Sequence, residues 1–182
     1  MSKWKVYALG FATLLMAPAG WLLCGMPEIT RFLQLDRILS PWTGIGIQFG
    51  VLFGILMLIL TNTDAARKSF TVQHQLIRSM RLSTFDILFL SFCAGFGEEI
   101  LFRVGVQQWL HPLLASVAFV AIHGYINPKD WNTTKYGLLV CLFIIVLSYA
   151  ISGEQGLWFC IAAHASYDFV LFYFWGRSQG SM

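Results

Sequence analysis

Two adjacent carboxylates and a guanidinium, Glu98, Glu99 and Arg103, stand in a stretch that carries no other Asp, Glu, Lys or Arg from Ile87 to Pro128. Charges inside sequence of hydrocarbon length cost on the order of 2.5–3.5 kcal/mol each on insertion scales, so they usually mark function. Glu99 and Arg103 are four apart and share one helix face. Glu98 is turned about 100° from Glu99 by the 3.6-residue period. The spacing predicts that Arg103 neutralises Glu99 and leaves Glu98 to face elsewhere, since two adjacent carboxylates do not both ionise in low dielectric without such help. Two more ionisable clusters lie in apolar sequence: His123, one turn after Phe119, and the pair His164 and Asp168, again four apart. An Asp in a membrane helix needs a partner, and His164 is within reach of Asp168. A His–Asp pair that merely staples the bundle is the structural alternative. Three ionisable clusters on separate apolar helices point to a shared polar cavity. His74 and His111 sit in polar or boundary sequence and are assigned nothing.

The elements that must hold these groups are membrane helices. The chain of 182 residues is 57% hydrophobic and 12% charged, about half the charge of a soluble domain. The apolar residues fall into long runs, which indicates an all-α, polytopic helix bundle of about six spans. The first run is Val6 to Pro27, and the second is Pro41 to Thr63. The third is Phe85 to Leu110, which carries Glu98, Glu99 and Arg103, and the fourth is about Leu113 to Ile126. The fifth is Tyr136 to Ser152, and the sixth is Leu157 to Trp175. Gly46, Gly50 and Gly54 make a small-residue face on which a neighbouring helix can approach closely. Asp64 to Thr84 is the longest polar segment. Val72, Leu76, Ile77 and Met80 share a helical face among Arg67, Lys68, Arg78 and Arg81, the pattern of an amphipathic helix on anionic lipid or of a solvated basic loop. Trp4, Trp21, Trp42, Trp109, Trp158 and Trp175 lie near run ends, as interfacial belts require. The chain reads as one membrane-embedded domain, 1–182.

With six spans both termini share a side. That side collects nine of the twelve Lys and Arg residues, whereas the other has only Arg31 and Arg37. The positive-inside rule places the termini in the cytoplasm. A net charge of +3 with scattered basic residues excludes a nucleic-acid partner. The four cysteines, Cys24, Cys93, Cys141 and Cys160, form no Cys-x-x-Cys pair and read as inert buried thiols.

Glu98-Glu99-Ile-Leu-Phe-Arg103, Phe119-Val-Ala-Ile-His123 and His164-Ala-Ser-Tyr-Asp168 together resemble the CAAX-protease and bacteriocin-processing family of intramembrane glutamic endopeptidases. That family's pattern is Glu-Glu-x-x-x-Arg, Phe-x-x-x-His and His-x-x-x-Asn or Asp, in this order. The resemblance covers about 85–175, a catalytic core; 1–84 adds two spans and a basic amphipathic connection. It implies that Glu98 is the general base and that His123 helps to hold and activate water. His164 and Asp168 would stabilise the oxyanion, and Glu99 and Arg103 would support or tune the base. An ionised Asp168 cannot donate a hydrogen bond as Asn can. Either Asp168 is protonated, or it orients His164 and that ring donates.

The implied activity is hydrolysis of a peptide bond near a membrane anchor or in a sorting or leader peptide, without a cofactor. The expected location is a prokaryotic plasma (inner) membrane. Three alternatives remain. Glu98, His123 and His164 have the composition of a catalytic zinc site, although no His-Glu-x-x-His is present. The chain could be a non-proteolytic immunity or scaffold protein. It could also be a proton-coupled carrier, against which the absence of an internal repeat speaks.

Overall fold

The computed structural model describes residues 2–61 and 64–177, the side chains of 61 and 64–69 excepted. Among the described residues every regular element is helical: α1 (Lys3–Leu14), α2 (Met16–Leu23), α3 (Ile29–Phe32), α4 (Pro41–Thr61), α5 (Asp64–Met80), α6 (Thr84–Glu99), α7 (Pro112–Ile122), α8 (Trp131–Ala150) and α9 (Gly156–Arg177). Four stretches are long and apolar enough to cross a membrane: Lys3–Leu23, Pro41–Leu60, Trp131–Ala150 and Gly156–Arg177. The exposed faces of these stretches carry Leu52, Ile59, Leu138 and Leu142, each more than half exposed, as a lipid-facing surface requires.

The first expected span is two helices. Pro18, in the first turn of α2, has no N–H and crowds the carbonyl of Leu14, so the ladder breaks there. α1 is tied to the start of α6, where the buried Asp86 carboxylate receives Lys3, the Tyr7 hydroxyl at 3.1 Å and the Ser83 amide at 2.7 Å. Ser83 and Asp86 form a reciprocal capping box.

α9 is the axis of the bundle, and glycines let its neighbours approach it. The small-residue face of α4 behaves as its spacing predicts. A Cβ on Gly46 would stand 2.5 Å from the Phe159 carbonyl oxygen, and one on Gly50 would overlap the Ala163 carbonyl oxygen. On α6, a Cβ on Gly95 would stand 2.7 Å from the Ile161 carbonyl oxygen. Gly50 and Gly95 therefore clamp α9 on either side of His164. Phe143 of α8 fills the space between, stacked on Phe49 at 5.5 Å and on Tyr167 at 4.8 Å.

Four further expectations need correction. The third span is helical to Gln108 but not uniformly α. A π turn, Ile100–Gly105, follows α6, and a 3₁₀ turn, Val106–Gln108, follows that. The fourth span ends early. α7 has 11 residues, a length of about 16 Å against a hydrocarbon core of about 30 Å. It stops because Gly124, at φ +73°, forms a Schellman turn. The Gly124 amide reaches the Ala121 carbonyl at 3.0 Å, and the Tyr125 amide reaches that of Val120 at 3.2 Å. The fifth span begins earlier than its apolar run, at Trp131, because Asp130 caps the Asn132 and Thr133 amides. On α5 the buried face is Phe70, Gln73 and Ile77, whereas Val72 and Leu76 point outward; the Arg67 and Lys68 side chains lie outside the described residues. Trp175, near the end of α9, is buried, edge-on to Phe70 at 6.0 Å.

Candidate active site

The three clusters meet. Glu98 and Glu99 end α6, Arg103 sits in the π turn, His123 caps α7, and His164 and Asp168 lie on α9. The turn at Ile100–Gly105 widens the helix just where its charged groups must reach three other elements, a setting in which π turns recur.

Glu99 is wholly committed. Its side chain is fully buried, one oxygen accepts from Arg103 Nε at 2.9 Å, and the other faces His164 Nδ1 at 2.8 Å. Arg103 in turn donates to the Ser148 hydroxyl on α8 and, at 3.5 Å, to Gln107 Oε1. Ser148 Oγ lies 2.7 Å from Ser116 Oγ on α7, and Gln107 Nε2 donates to the Ser148 carbonyl at 2.6 Å. The Arg103 guanidinium also lies 5.7 Å from the centre of the Phe119 ring. One buried network thus joins α6, the π turn, α7, α8 and α9.

The expected pairing is therefore extended. Arg103 does bind Glu99, but His164 is the second partner of that carboxylate. Neither Ser148, Ser116 nor Gln107 is among the residues the sequence reading singles out. Gln107, four after Arg103, is the one whose spacing could have revealed it; the two serines are lone hydroxyls in apolar runs and give no such sign.

Glu98 has a different environment. Its Oε2 lies 3.4 Å from His123 Nε2 and 4.0 Å from His164 Nε2, beyond ordinary charge-assisted hydrogen bonds, and 12% of its side chain is exposed. His123 Nδ1 lies 2.7 Å from the Phe119 carbonyl oxygen. A carbonyl only accepts, so this nitrogen carries the hydrogen, and in the neutral ring Nε2 is an acceptor pointing at Glu98. His164 is held in the same manner. Nδ1 donates to the ionised Glu99, and Nε2 faces Glu98 and, at 3.7 Å, Asp168 Oδ2.

A cleft of about 360 Å³ is lined by Gln34, Arg103, Gln107, Gln108, Ile151 and Ser152, so the turns after α6, the end of α8 and the loop after α3 share one side of the bundle. From that side His123 lies 11 residues along α7 and His164 about two turns along α9. Both groups therefore lie about 12–16 Å along their helices from that end. Beyond His123 the backbone is non-helical to Asp130.

Residues 80–170 match a family model described as Rce1-like, type II CAAX prenyl endopeptidase Rce1-like. The chain belongs to the Rce1-like family. No curated protein and no solved structure matches it. Family membership makes it, at that level, a CAAX-type intramembrane protease, acting on a peptide or protein. The apolar helices make it a multi-pass membrane protein. The matched region contains every ionisable group of the candidate site and excludes α1 to α4 and all of α5 but its last residue. Among the described residues no group of three or more His, Cys, Asp or Glu is arranged to hold a metal ion.

Proposed function

We propose that this Rce1-like protein is an intramembrane endopeptidase in which Glu98 and His123 activate a water molecule. The observation that carries the reading is the contrast between neighbouring carboxylates: Glu99 is saturated by Arg103 and His164, whereas Glu98 stands 3.4 Å from His123 Nε2, which is an acceptor when that ring is neutral. A water that gives one hydrogen to each reconciles the two acceptors and is polarised by both.

In the proposed cycle the water oxygen bonds to the carbonyl carbon as its proton passes to Glu98. The carbonyl oxygen takes the negative charge and accepts a hydrogen bond from His164 Nε2, which donates when the ring is an imidazolium held between Glu99 and Asp168. Collapse breaks the C–N bond, and the proton on Glu98 goes to the departing amine. Asp168, 3.7 Å from that nitrogen, then serves to orient and charge the ring rather than to donate itself.

The substrate class is a peptide near a membrane anchor or a sorting or leader peptide, reached from the side onto which the non-helical stretch after His123 opens. By the positive-inside rule that side is the cytoplasm, where both termini lie, and the membrane is a prokaryotic plasma (inner) membrane. Reporter fusions at each terminus test the orientation.

The direct test uses purified protein in lipid nanodiscs and two internally quenched peptides. One carries a farnesylated cysteine followed by three residues, and the other is the same peptide unmodified. Cleavage of either by the wild type, with loss in Glu98→Gln and His123→Ala, supports the reading. Equal cleavage by all three proteins rejects it.

A metal reading has one observation in its favour. Both imidazoles are tied through Nδ1, to Phe119 and to Glu99, and present Nε2 toward Glu98, as metal-bound histidines do. Activity lost to a chelator and restored by zinc would select it; turnover unchanged in a chelator selects the metal-free cycle proposed here.

A further inference from the structure

The Schellman turn that ends α7 does more than stop a helix. It throws Tyr125 back beside His123. The Tyr125 and His123 rings lie 5.8 Å apart and within 24° of parallel, and the His123 ring is also stacked on Phe119 at 4.4 Å. Tyr125 is seated on α8: its ring meets Tyr136 edge-on at 4.8 Å, and its backbone occupies the space that a side chain on Gly137 would need. A Cβ on Gly137 would stand 2.5 Å from the Tyr125 carbonyl oxygen and 2.8 Å from its Cβ. The buried phenol also shares a side-chain hydrogen bond with Tyr136 and lies in the electrostatic field of both Asp168 and Glu98.

The chemistry around it is short of donors. Glu98 and Asp168 are carboxylates, and His123 Nε2 is an acceptor in the neutral ring, so of these side chains His164 Nε2 is the one that can donate to a developing oxyanion. A tyrosine hydroxyl is a neutral donor that stays protonated at neutral pH. Tyr125 lies two residues beyond His123 and outside the three sequence motifs, so motif reading passes over it.

We propose that Tyr125 belongs to the catalytic site, its ring fixing the plane of His123 and its hydroxyl donating a hydrogen bond to the oxyanion alongside His164. The hydroxyl role rests on the peptidase reading above; the ring role does not. Loss of a preorganised oxyanion donor typically costs roughly 10²–10³ in kcat, and here a second donor remains. The expected effect of Tyr125→Phe on cleavage of the quenched peptide is therefore a fall of about ten- to a hundredfold in kcat, with KM within about twofold of wild type. Wild-type kcat in Tyr125→Phe overturns the hydroxyl role.

The ring role is read without turnover. Diethylpyrocarbonate modifies exposed imidazoles, and mass spectrometry resolves the rate at His123. Tyr125→Ala should raise that rate severalfold while Tyr125→Phe leaves it unchanged; equal rates in wild type and Tyr125→Ala overturn it. If the wild type cuts neither peptide, the peptidase reading fails and takes the hydroxyl role with it, whereas the His123 modification rate still decides the ring's role. Should Tyr125→Ala not fold, Tyr125→Trp, which keeps an aromatic face without the hydroxyl, replaces it in the modification assay, with protection expected and a rise in rate contradicting.

Discussion

Glu98 and Glu99 are consecutive residues with opposite circumstances. Glu99 is fully buried, and both of its oxygens are bonded, to Arg103 and to His164. Glu98, one residue earlier, has His123 at 3.4 Å and His164 at 4.0 Å and keeps part of its surface open. Two adjacent carboxylates can therefore differ completely in how many of their hydrogen-bonding sites the fold has already filled. Glu99 carries the structural charge and holds the histidine ring, and in the proposed cycle Glu98 is the one that exchanges protons.

The comparison breaks most sharply at Glu98 itself. Glu98→Gln removes the base and should lower kcat by about 10²–10⁴, the usual worth of general-base catalysis, while thermal unfolding in detergent stays at the wild-type midpoint. Glu99→Ala should lower stability as well as kcat, because Glu99 also holds the His164 ring. It strands a buried guanidinium, which costs on the order of 3–5 kcal/mol, and the unfolding midpoint should drop steeply. If the two variants behave alike in both assays, the division of labour between them is wrong. Ser148→Ala removes a neutral partner of Arg103 and of Ser116 and should cost about 1–2 kcal/mol, with kcat changed less than by Glu98→Gln. Gly124→Ala places a Cβ at φ +73°, which costs roughly 1 kcal/mol, and it should lower kcat more than stability alone explains because His123 caps that same turn. A smaller loss in kcat than in folding would show that His123 tolerates a rebuilt helix end.

How much of this is legible in the sequence depends on the range of the interaction. The spans, the Gly46–Gly50–Gly54 face and the Glu99–Arg103 pair follow from local spacing, because the 3.6-residue period and the insertion cost of a charge act along one helix. The assembly of Glu98, His123 and His164 is suggested by three motifs together and by the cost of leaving each group alone in lipid. What escapes are contacts that depend on how helices pack: His164 on Glu99, or Ser148 on Arg103. Helix ends were misplaced for an equally physical reason. Ile122 to Ile126 is apolar enough to continue a span, yet a single glycine in the left-handed region at 124 stops it, and Asp130 starts α8 inside sequence that reads as a polar loop. Hydropathy measures where a segment is stable, whereas caps decide where a helix ends.

The central claim is that Glu98 delivers water to a peptide bond. The most direct measurement is hydrolysis of the quenched peptides in ¹⁸O-labelled water by wild type and Glu98→Gln, with the fragments weighed by mass spectrometry. The account predicts that the wild type yields an N-terminal fragment whose new carboxylate carries one ¹⁸O, and that Glu98→Gln, folded to the same midpoint, yields none. Labelled product at the wild-type rate from Glu98→Gln would contradict it.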